Sequence, residues 1–196
     1  MKRAVTMKIL LAFAACAFAL AAGSARATSV APLELPQLVA GSRDVVHVRC
    51  IGTEAVADAS VGVATVTQFV VLDRAKGSPG ATLVLRQPGG RLGTQVIDFQ
   101  LPRFRVGDEY VLFVPPASVL GFASPLGLAQ GMFPVSEGSA GKEVGNGRDF
   151  AALLRDVDAA QIPAGTRLRL QTSPKERSRI SLADFMAIVR ARAATP

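Results

Sequence analysis

His47 is the only histidine of the 196-residue chain, and it lies three positions before Cys50. A histidine close to a cysteine can activate a thiol nucleophile or contribute to a metal site. Both residues fall in the β-branched run DVVHVRCIG, which predicts a strand from Asp44 to Gly52. Residues three apart on a strand point to opposite faces, and one histidine cannot form a zinc site alone. We therefore expect Cys50 to be buried and structural and His47 to lie on the surface, with no metal site at either.

A second candidate for chemistry is the glycine-rich stretch PGGRLGT at positions 88–94. A phosphate-binding Walker loop needs a lysine followed by serine or threonine, and a dinucleotide fingerprint needs glycines at its first, third and sixth positions. GGRLGT has neither pattern, and GSAGKE at 138–143 carries Glu143 where a hydroxyl is needed. We therefore predict two turns, no bound cofactor, and Arg91 as a possible contact residue presented by the first of them.

Paired carboxylates and an activated serine are the remaining catalytic options. The adjacent Asp108 and Glu109 fall at a predicted turn, where aspartate is favoured for its own backbone hydrogen bonds. Asp98 is expected to pair with Arg86 across a hairpin. No serine lies in the nucleophile pattern G-x-S-x-G. The sequence therefore predicts no catalytic residue.

The first residues have the pattern of a signal peptide. Three basic residues among the first eight precede an apolar run at 9–22, which is short for a membrane span. Ala25 and Ala27 then occupy the small-residue positions before a cleavage site. We expect residues 1–27 to be removed between Ala27 and Thr28, and the protein to be exported to the periplasm or secreted.

Two alternatives remain open for this segment. FAAC, which ends at Cys16, faintly resembles a lipoprotein box, although Phe13 is unusual at its first position and no polar tether follows. The segment could also stay in place as an uncleaved anchor. After cleavage Cys50 is the only cysteine, so no intramolecular disulfide can form and the hydrophobic core must hold the fold.

The charge of the chain depends strongly on that cleavage. The full chain carries +7, whereas the mature chain has 18 basic and 15 acidic side chains and carries +3. Its densest basic run, KERSR at 175–179, has no aromatic residues on which bases could stack. We expect no nucleic-acid partner and, after cleavage, no membrane partner.

The elements that must position these residues are mainly strands. A short helix is predicted with Pro36 in its first turn and Gly41 at its end. No long helical pattern separates the strands, which argues against a parallel sheet. Five to seven short strands predict a mainly β domain over residues 28–141, either a small OB-like barrel or a sandwich. The predicted strands are Asp44–Gly52, Ala64–Gly77, Ala81–Gln87, Thr94–Leu101, Glu109–Val114 and one or two within Gly127–Val135.

Residues 142–196 are predicted to be a helical extension packed on the same domain. A polar, glycine-rich loop leads to a helix at Arg148–Ala160, and TRLRLQ at 166–171 is expected to be extended. The strongest helix follows, with Ser181 and Asp184 resembling a capping box. Its apolar stripe, expected to pack on the β domain, consists of Leu182, Phe185, Ile188 and Val189.

Taken in order, LPQLVAGSRDVVHVRCIGTEAV, VVLDRAKG, LVLRQPGG, PRFRVGDEYVLFVPP and GLAQGMFPV resemble a group of exported bacterial proteins of uncharacterised activity. The resemblance covers Leu35–Val135 and contains no catalytic motif. Such proteins sometimes appear beside secreted matrixin-type metalloproteases, which implies a protease as one kind of partner. His47 and Arg49 depart from the aliphatic and small residues usual in the group's first strand.

The order of strands and turns is also similar to the netrin-like OB barrel of tissue inhibitors of metalloproteinases. Those inhibitors chelate the protease zinc through an N-terminal cysteine and are stabilised by disulfides. Here the predicted mature N-terminus is Thr28, and no disulfide is possible. The resemblance therefore implies a barrel but not that inhibitory mechanism.

Two functional hypotheses follow. The first is an exported non-enzymatic binding or accessory module that holds a protein or glycan partner. The alternative is a hydrolase or protease-associated enzyme with an unrecognised site.

Overall fold

The computed structural model describes residues 31–195. The expected signal peptide, with Cys16 and the Ala27–Thr28 bond, lies outside the described residues. The described chain is mainly β, as predicted, with nine strands. They are β1 (Asp44–Asp58), β2 (Gly62–Lys76), β3 (Thr82–Pro88), β4 (Gly90–Leu92), β5 (Gln95–Ile97), β6 (Glu109–Val114), β7 (Met132–Gly138), β8 (Gly141–Val144) and β9 (Ile180–Ser181).

The helices are short except for the last one. The predicted N-terminal helix is present, with Pro36 in its first turn and Gly41 at its end. Three 3₁₀ turns lie at Leu128–Gly131, Ala159–Gln161 and Glu176–Ser178. The α-helices are α1 (Leu35–Gly41), α2 (Phe150–Leu153), α3 (Ala164–Arg169) and α4 (Leu182–Ala193).

Seven strands form one antiparallel sheet in the order β3-β2-β1-β6-β7-β8-β9, and β4 pairs with β5 in a separate hairpin. Among the described strands, β3 and β9 are the two edges of the sheet and do not pair with each other, so these strands do not form a closed barrel. Strands β1 and β2 have 15 residues each. β1 extends beyond the predicted end at Gly52, whereas β2 nearly coincides with the predicted Ala64–Gly77. Three register shifts interrupt the β1–β2 ladder, and such irregularities bend a strand.

One face of the sheet packs against the helices. This helix-side core includes Val45, Val111 and the aromatic rings of Phe113, Phe133 and Phe185. The Phe133 and Phe185 ring centroids lie 4.9 Å apart, within the range of favourable aromatic pairs. Helix α4 therefore supplies the centre of this core.

The opposite face carries a second core, which we call the hairpin-side core. It joins alternate residues of β1, β2, β3 and β6 and is covered by Phe104, whose ring makes edge contacts with Phe69 and Tyr110. The period-two alternation of these strands assigns adjacent residues to opposite cores. The buried members are Val46, Val48, Cys50, Phe69, Leu83, Leu85, Phe104, Tyr110, Leu112 and Val114.

The predicted stripe of α4 is confirmed, because Phe185, Ile188 and Val189 are fully buried and Leu182 packs beside them. Ser181 caps the helix by accepting a hydrogen bond from the Asp184 backbone N–H. The reciprocal half of the expected capping box is absent, since the Asp184 carboxylate instead accepts a hydrogen bond from the Thr166 hydroxyl at 2.5 Å. That bond ties α3 to α4.

Several local predictions were wrong. TRLRLQ is not extended, because most of it forms α3, and the polar stretch after Val135 is a β7–β8 hairpin rather than a loop. Residues 142–144 belong to β8, so the sheet continues past the boundary that composition suggested. Glycine-rich polar residues tolerate both loops and short exposed hairpins, so composition does not separate the two.

The strand expected at Thr94–Leu101 is reduced to Gln95–Ile97. One or two strands were expected within Gly127–Val135; Leu128–Gly131 forms a 3₁₀ turn and one strand, β7, begins at Met132. Within the described residues, no helix is both long and apolar enough to cross a bilayer.

Candidate functional site

His47 and Cys50 lie on opposite faces of the sheet, as predicted. Cys50 is 1% exposed in the hairpin-side core, and burial raises the pKa of its thiol. Such a thiol is a poor nucleophile at neutral pH, because the thiolate is the reactive form. The prediction of a surface His47 is wrong, since this residue is only 7% exposed. The ring can be buried because a carboxylate on the neighbouring strand satisfies its hydrogen-bonding nitrogen.

That carboxylate belongs to Glu109, at the start of β6. One of its oxygens lies 2.8 Å from His47 Nε2, and the other accepts a hydrogen bond from Arg49 Nη2 at 2.7 Å. Lys142 Nζ, from β8, donates to both oxygens at 2.9 and 2.7 Å. The Glu109 side chain is 11% exposed. We call these four residues the Glu109 cluster.

Burial raises the pKa of Glu109, but the hydrogen bonds from Lys142, Arg49 and His47 outweigh it and hold this pKa at about 2. The group is therefore ionised at neutral pH and can only accept hydrogen bonds. It follows that His47 Nε2 carries a hydrogen. A carboxylate locked by three donors is suited to joining β1, β6 and β8, and not to exchanging protons with a substrate.

A concave site lies on the other face of the sheet. The β4–β5 hairpin and the segment at 98–104 stand over the ends of β1, β2 and β3, and they enclose a cleft of about 250 Å³. We call this the hairpin cleft. Its lining includes the hairpin residues Gly89, Gly90 and Arg91, so the glycine-rich stretch singled out in the sequence forms one wall.

The floor of the cleft continues the hairpin-side face with polar residues. On this face of β2, Thr65 and Thr67 precede the buried Phe69, and on the antiparallel β3, Gln87 comes after the apolar Leu85. Thr67 is 1% and Gln87 4% exposed. The sheet thus changes from an apolar core to a hydroxyl and amide surface within one or two residues of each strand.

These floor groups are held in fixed positions. The Thr53 and Thr67 hydroxyls lie 3.2 Å apart across the β1–β2 ladder, and Thr65 donates to the Gly89 carbonyl at 2.7 Å. Gln87 Nε2 donates to the Pro102 carbonyl at 3.3 Å and lies 3.2 Å from the Ser124 hydroxyl. A binding surface built on paired strands is better ordered than one built on loops.

The hairpin requires glycine where it meets the floor. Gly89 and Gly90 have φ values of 87° and 142°, in the region that favours glycine. A Cβ atom on Gly90 would lie 2.6 Å from the Thr65 hydroxyl, and one on Gly89 would lie 2.6 Å from the Ile97 carbonyl. The turn that closes the hairpin lies at Gly93 and Thr94. The sequence indicated a turn that presents Arg91, but Arg91 belongs to strand β4 and pairs with Val96.

The rim of the cleft is charged and exposed. Asp98 pairs with Arg103 at 3.3 Å, so the expected pair between Asp98 and Arg86 is wrong. Arg86 instead forms an ion pair with the buried carboxylate of Asp58. Arg86 lies between Leu85 and Gln87, which face the hairpin side, so its side chain points to the other face of the sheet, whereas Asp98 lines the cleft. Phe99, between the rim charges, is 51% exposed.

Of the residues singled out from the sequence, Arg91 lines the hairpin cleft, and His47 and Cys50 do not. The threonine and glutamine floor was not singled out. The available signal was a polar residue at an inward-facing position of an otherwise apolar strand, at Thr67 on β2 and Gln87 on β3. In the part of the chain that the structure describes, no group of three or more His, Cys, Asp or Glu residues is placed to hold a metal ion.

Comparison of the chain with models of protein families, with curated proteins and with solved structures gives no match.

Proposed function

We propose that the protein is an exported, non-enzymatic binding or accessory module of the cell envelope or secretome, and that it holds a protein or glycan partner in the hairpin cleft. The observation that carries this proposal is the contrast between a rigid floor of neutral polar groups and a half-exposed aromatic ring at the rim. Concave sites with a few fixed polar groups and an apolar contact surface are typical of ligand recognition.

The chemistry of the cleft favours binding over catalysis. Its floor offers threonine hydroxyls and a glutamine amide, whereas the only histidine of the chain lies on the opposite face of the sheet. A threonine hydroxyl becomes a nucleophile only beside a general base. The Asp98 carboxylate at the rim is already engaged by Arg103, and Glu54, which follows the floor residue Thr53 on β1, points its carboxylate to the other face of the sheet.

The finer parts of the proposal rest on the sequence. The basic first residues, the apolar run and the small residues before Thr28 support export. An OB-like barrel is supported by β1, which pairs with β2 over most of its length and with β6 over residues 44–49, and which has three register shifts in its ladder with β2. The resemblance to exported bacterial proteins that appear beside secreted proteases supports a protease as one kind of partner.

The test is capture of the partner from the periplasm and culture medium of the source bacterium. The immobilised protein is compared with Phe99→Ala, which changes the rim of the cleft, and with Leu168→Ala, which changes another exposed apolar residue outside it. We expect a partner that the wild type and Leu168→Ala retain and that Phe99→Ala loses. Equal retention by all three proteins would contradict a role for the cleft.

One observation favours the enzyme alternative. The hydrogen-bonded pair of His47 and Glu109 lies beside a cavity of about 420 Å³ that Ser181 also lines. A hydrolase would need the Ser181 hydroxyl as nucleophile, but this hydroxyl caps α4, and in the described residues His47 is hydrogen-bonded to Glu109 and not to Ser181. Hydrolysis of p-nitrophenyl acetate that is abolished in both His47→Ala and Ser181→Ala, with the fold retained, would establish this alternative; unchanged background hydrolysis would exclude it for that substrate.

A further inference from the structure

The hydrogen-bonding groups of the hairpin cleft indicate a class of ligand, and this step rests on the proposed function above. We infer that the hairpin cleft is a carbohydrate-binding site for a neutral, hydroxyl-rich sugar unit of a glycan. The inference is carried by three properties of the cleft: its hydroxyl and amide floor, the low net charge of its rim and its exposed aromatic ring.

The floor groups can both donate and accept. Because one of the Thr53 and Thr67 hydroxyls donates to the other, the pair retains one hydrogen and free lone pairs. Thr65 donates its hydrogen to Gly89, so its oxygen can still accept. Sugar hydroxyls match such a surface, since each can donate and accept. A phosphate or carboxylate can only accept, and it would find few donors here.

Gln87 adds an acceptor of defined orientation. Its Nε2 must face the Pro102 carbonyl, which can only accept, so the position of Oε1 is determined. In the described part of the chain Oε1 has no hydrogen-bond partner, and it is not among the fully buried unpaired atoms. It therefore keeps contact with solvent and is available to a donor from a ligand.

The rim carries a low net charge. Arg103 is paired with Asp98, and Arg91 adds one positive charge. Glu54 follows the floor residue Thr53 on β1, so its side chain points to the other face of the sheet. A site for a polyanion, such as a nucleic acid, would have a larger excess of basic residues. This rim therefore favours a neutral ligand, and its planar guanidinium and carboxylate groups suit the hydroxyls of a sugar unit that extends past the floor.

Phe99 completes the site. A Cβ atom on Gly89 would lie 3.1 Å from the Phe99 ring, so the ring lies against the glycine wall with half its surface exposed. One face of a pyranose ring presents mostly C–H groups, which pack well on an aromatic ring. An exposed phenylalanine beside a hydroxyl floor therefore supplies the apolar contact that a sugar needs.

An extended peptide fits the cleft less well. The floor is a sheet face, because the strands below it are paired with each other: Thr53 with Thr67, and Thr65 with Gln87. A peptide that adds to a sheet needs the free backbone groups of an edge strand. The nearest edge is β3, and beside the cleft its Arg86 carbonyl already accepts a hydrogen bond from the Ala123 N–H at 2.9 Å. At about 250 Å³ the cleft lies just below the usual range for small-molecule sites, roughly 300–1,000 Å³, and is small for a packed helix.

The experiment is isothermal titration of the purified protein, expressed as the full chain, with a panel of sugars. The neutral members are chitotetraose, cellotetraose, maltotetraose and xylotetraose, and the anionic member is tetragalacturonate. We expect at least one neutral sugar to bind with a Kd of about 1 mM or lower, and tetragalacturonate to bind more weakly. Thr53→Val and Phe99→Ala should each weaken binding about tenfold, because each removes one contact worth about 1 kcal/mol.

Thr82→Val is the matched control, since Thr82 is an exposed strand threonine outside the cleft, and it should bind as the wild type does. Circular dichroism establishes that each variant is folded. Absence of binding to all four neutral sugars, or binding unchanged in both cleft variants, would overturn the carbohydrate assignment. If no sugar binds but the Phe99→Ala variant still fails to capture the partner that the wild type captures, only the carbohydrate inference is wrong. If wild type and Phe99→Ala capture the same partner equally, the proposed function of the cleft is wrong.

Discussion

His47 Nε2 lies 2.8 Å from the Glu109 carboxylate, which joins the only histidine of the chain to a carboxyl group with a pKa of about 2. The contact crosses from β1 to β6, and Lys142 extends it to β8. The cluster therefore ties three neighbouring strands of the sheet together. It lies on the opposite face of the sheet from the hairpin cleft, so stability and binding can be tested separately.

The Glu109 cluster predicts a defined loss of stability in acid. The folded pKa, about 2, lies below the ordinary value of 4.5, so the ionised group stabilises the fold fully above pH 4.5 and loses its effect as the pH falls through 2. The shift corresponds to at most roughly 3 kcal/mol, and to less after allowance for the partly solvated Arg49 and Lys142. Urea unfolding of the wild type and Glu109→Gln should therefore differ most at neutral pH and converge towards pH 2.

Asp98→Asn is the control for that experiment, because its pair with Arg103 is exposed. It should change the free energy of unfolding by less than about 1 kcal/mol at any of these pH values. A difference between wild type and Glu109→Gln that is the same at pH 7 and pH 2 would contradict the assigned role of the carboxylate.

Removal of the Phe185 ring should destabilise the protein strongly. This fully buried ring contacts Phe113, Phe133 and Phe150 in the helix-side core. We expect Phe185→Ala to lower the free energy of unfolding by about 3–5 kcal/mol in urea titrations. The half-exposed Phe99 provides the comparison, and Phe99→Ala should cost about 1 kcal/mol or less. Similar losses in both variants would show that α4 does not anchor the core.

Alanine substitutions at two glycines of the hairpin distinguish the effect of backbone strain from the effect of a side chain that obstructs the cleft. Gly90 and Gly93 both have positive φ, so alanine should cost about 1–2 kcal/mol at Gly93 and about 1–3 kcal/mol or more at Gly90, and circular dichroism must show that each variant is folded. Only at Gly90 would the added Cβ meet the floor, at 2.6 Å from the Thr65 hydroxyl, since nothing lies within 4 Å at Gly93. Partner capture should therefore be lost in Gly90→Ala and kept in Gly93→Ala. Equal capture by the two variants would argue that the ligand does not reach the floor.

The double variant His47→Ala with Cys50→Ala should keep partner binding while unfolding more easily. His47 faces Glu109, and Cys50 is fully inside the hairpin-side core, so neither lines the cleft. A lower melting temperature is expected, because the change removes a buried hydrogen-bond partner and leaves space in a packed core. Loss of capture by a variant that remains folded would give one of the two residues a direct role.

Local patterns predicted the parts of the fold that depend on neighbours in sequence. The stripe of α4 and its Ser181 cap follow from spacing within one helix, whereas the glycine-rich stretch at 88–94 holds the strand β4 where only a turn was expected. The Glu109 cluster and the cleft floor depend instead on register. His47 and Glu109 are 62 positions apart, and Thr65 and Gln87 meet only through the β2–β3 ladder.

Strand length was the other gap between sequence and structure. Gly52 and the polar residues after it appeared to end β1, yet the strand continues to Asp58 because β2 pairs with it throughout. Pairing between strands contributes more to a strand than its own propensity does. Thr53 reaches the cleft floor only because of that extension, which is why the candidate site was not visible in the sequence.

Hydroxyl-radical footprinting, with the protein alone and in the presence of its native extract, tests the central claim most directly. Phe99 and Leu168 are both exposed side chains, but only Phe99 lines the hairpin cleft. If the partner binds there, oxidation of Phe99 should fall in the extract while that of Leu168 is unchanged. Protection of Leu168 with Phe99 still fully oxidised would place the binding surface elsewhere and contradict the account.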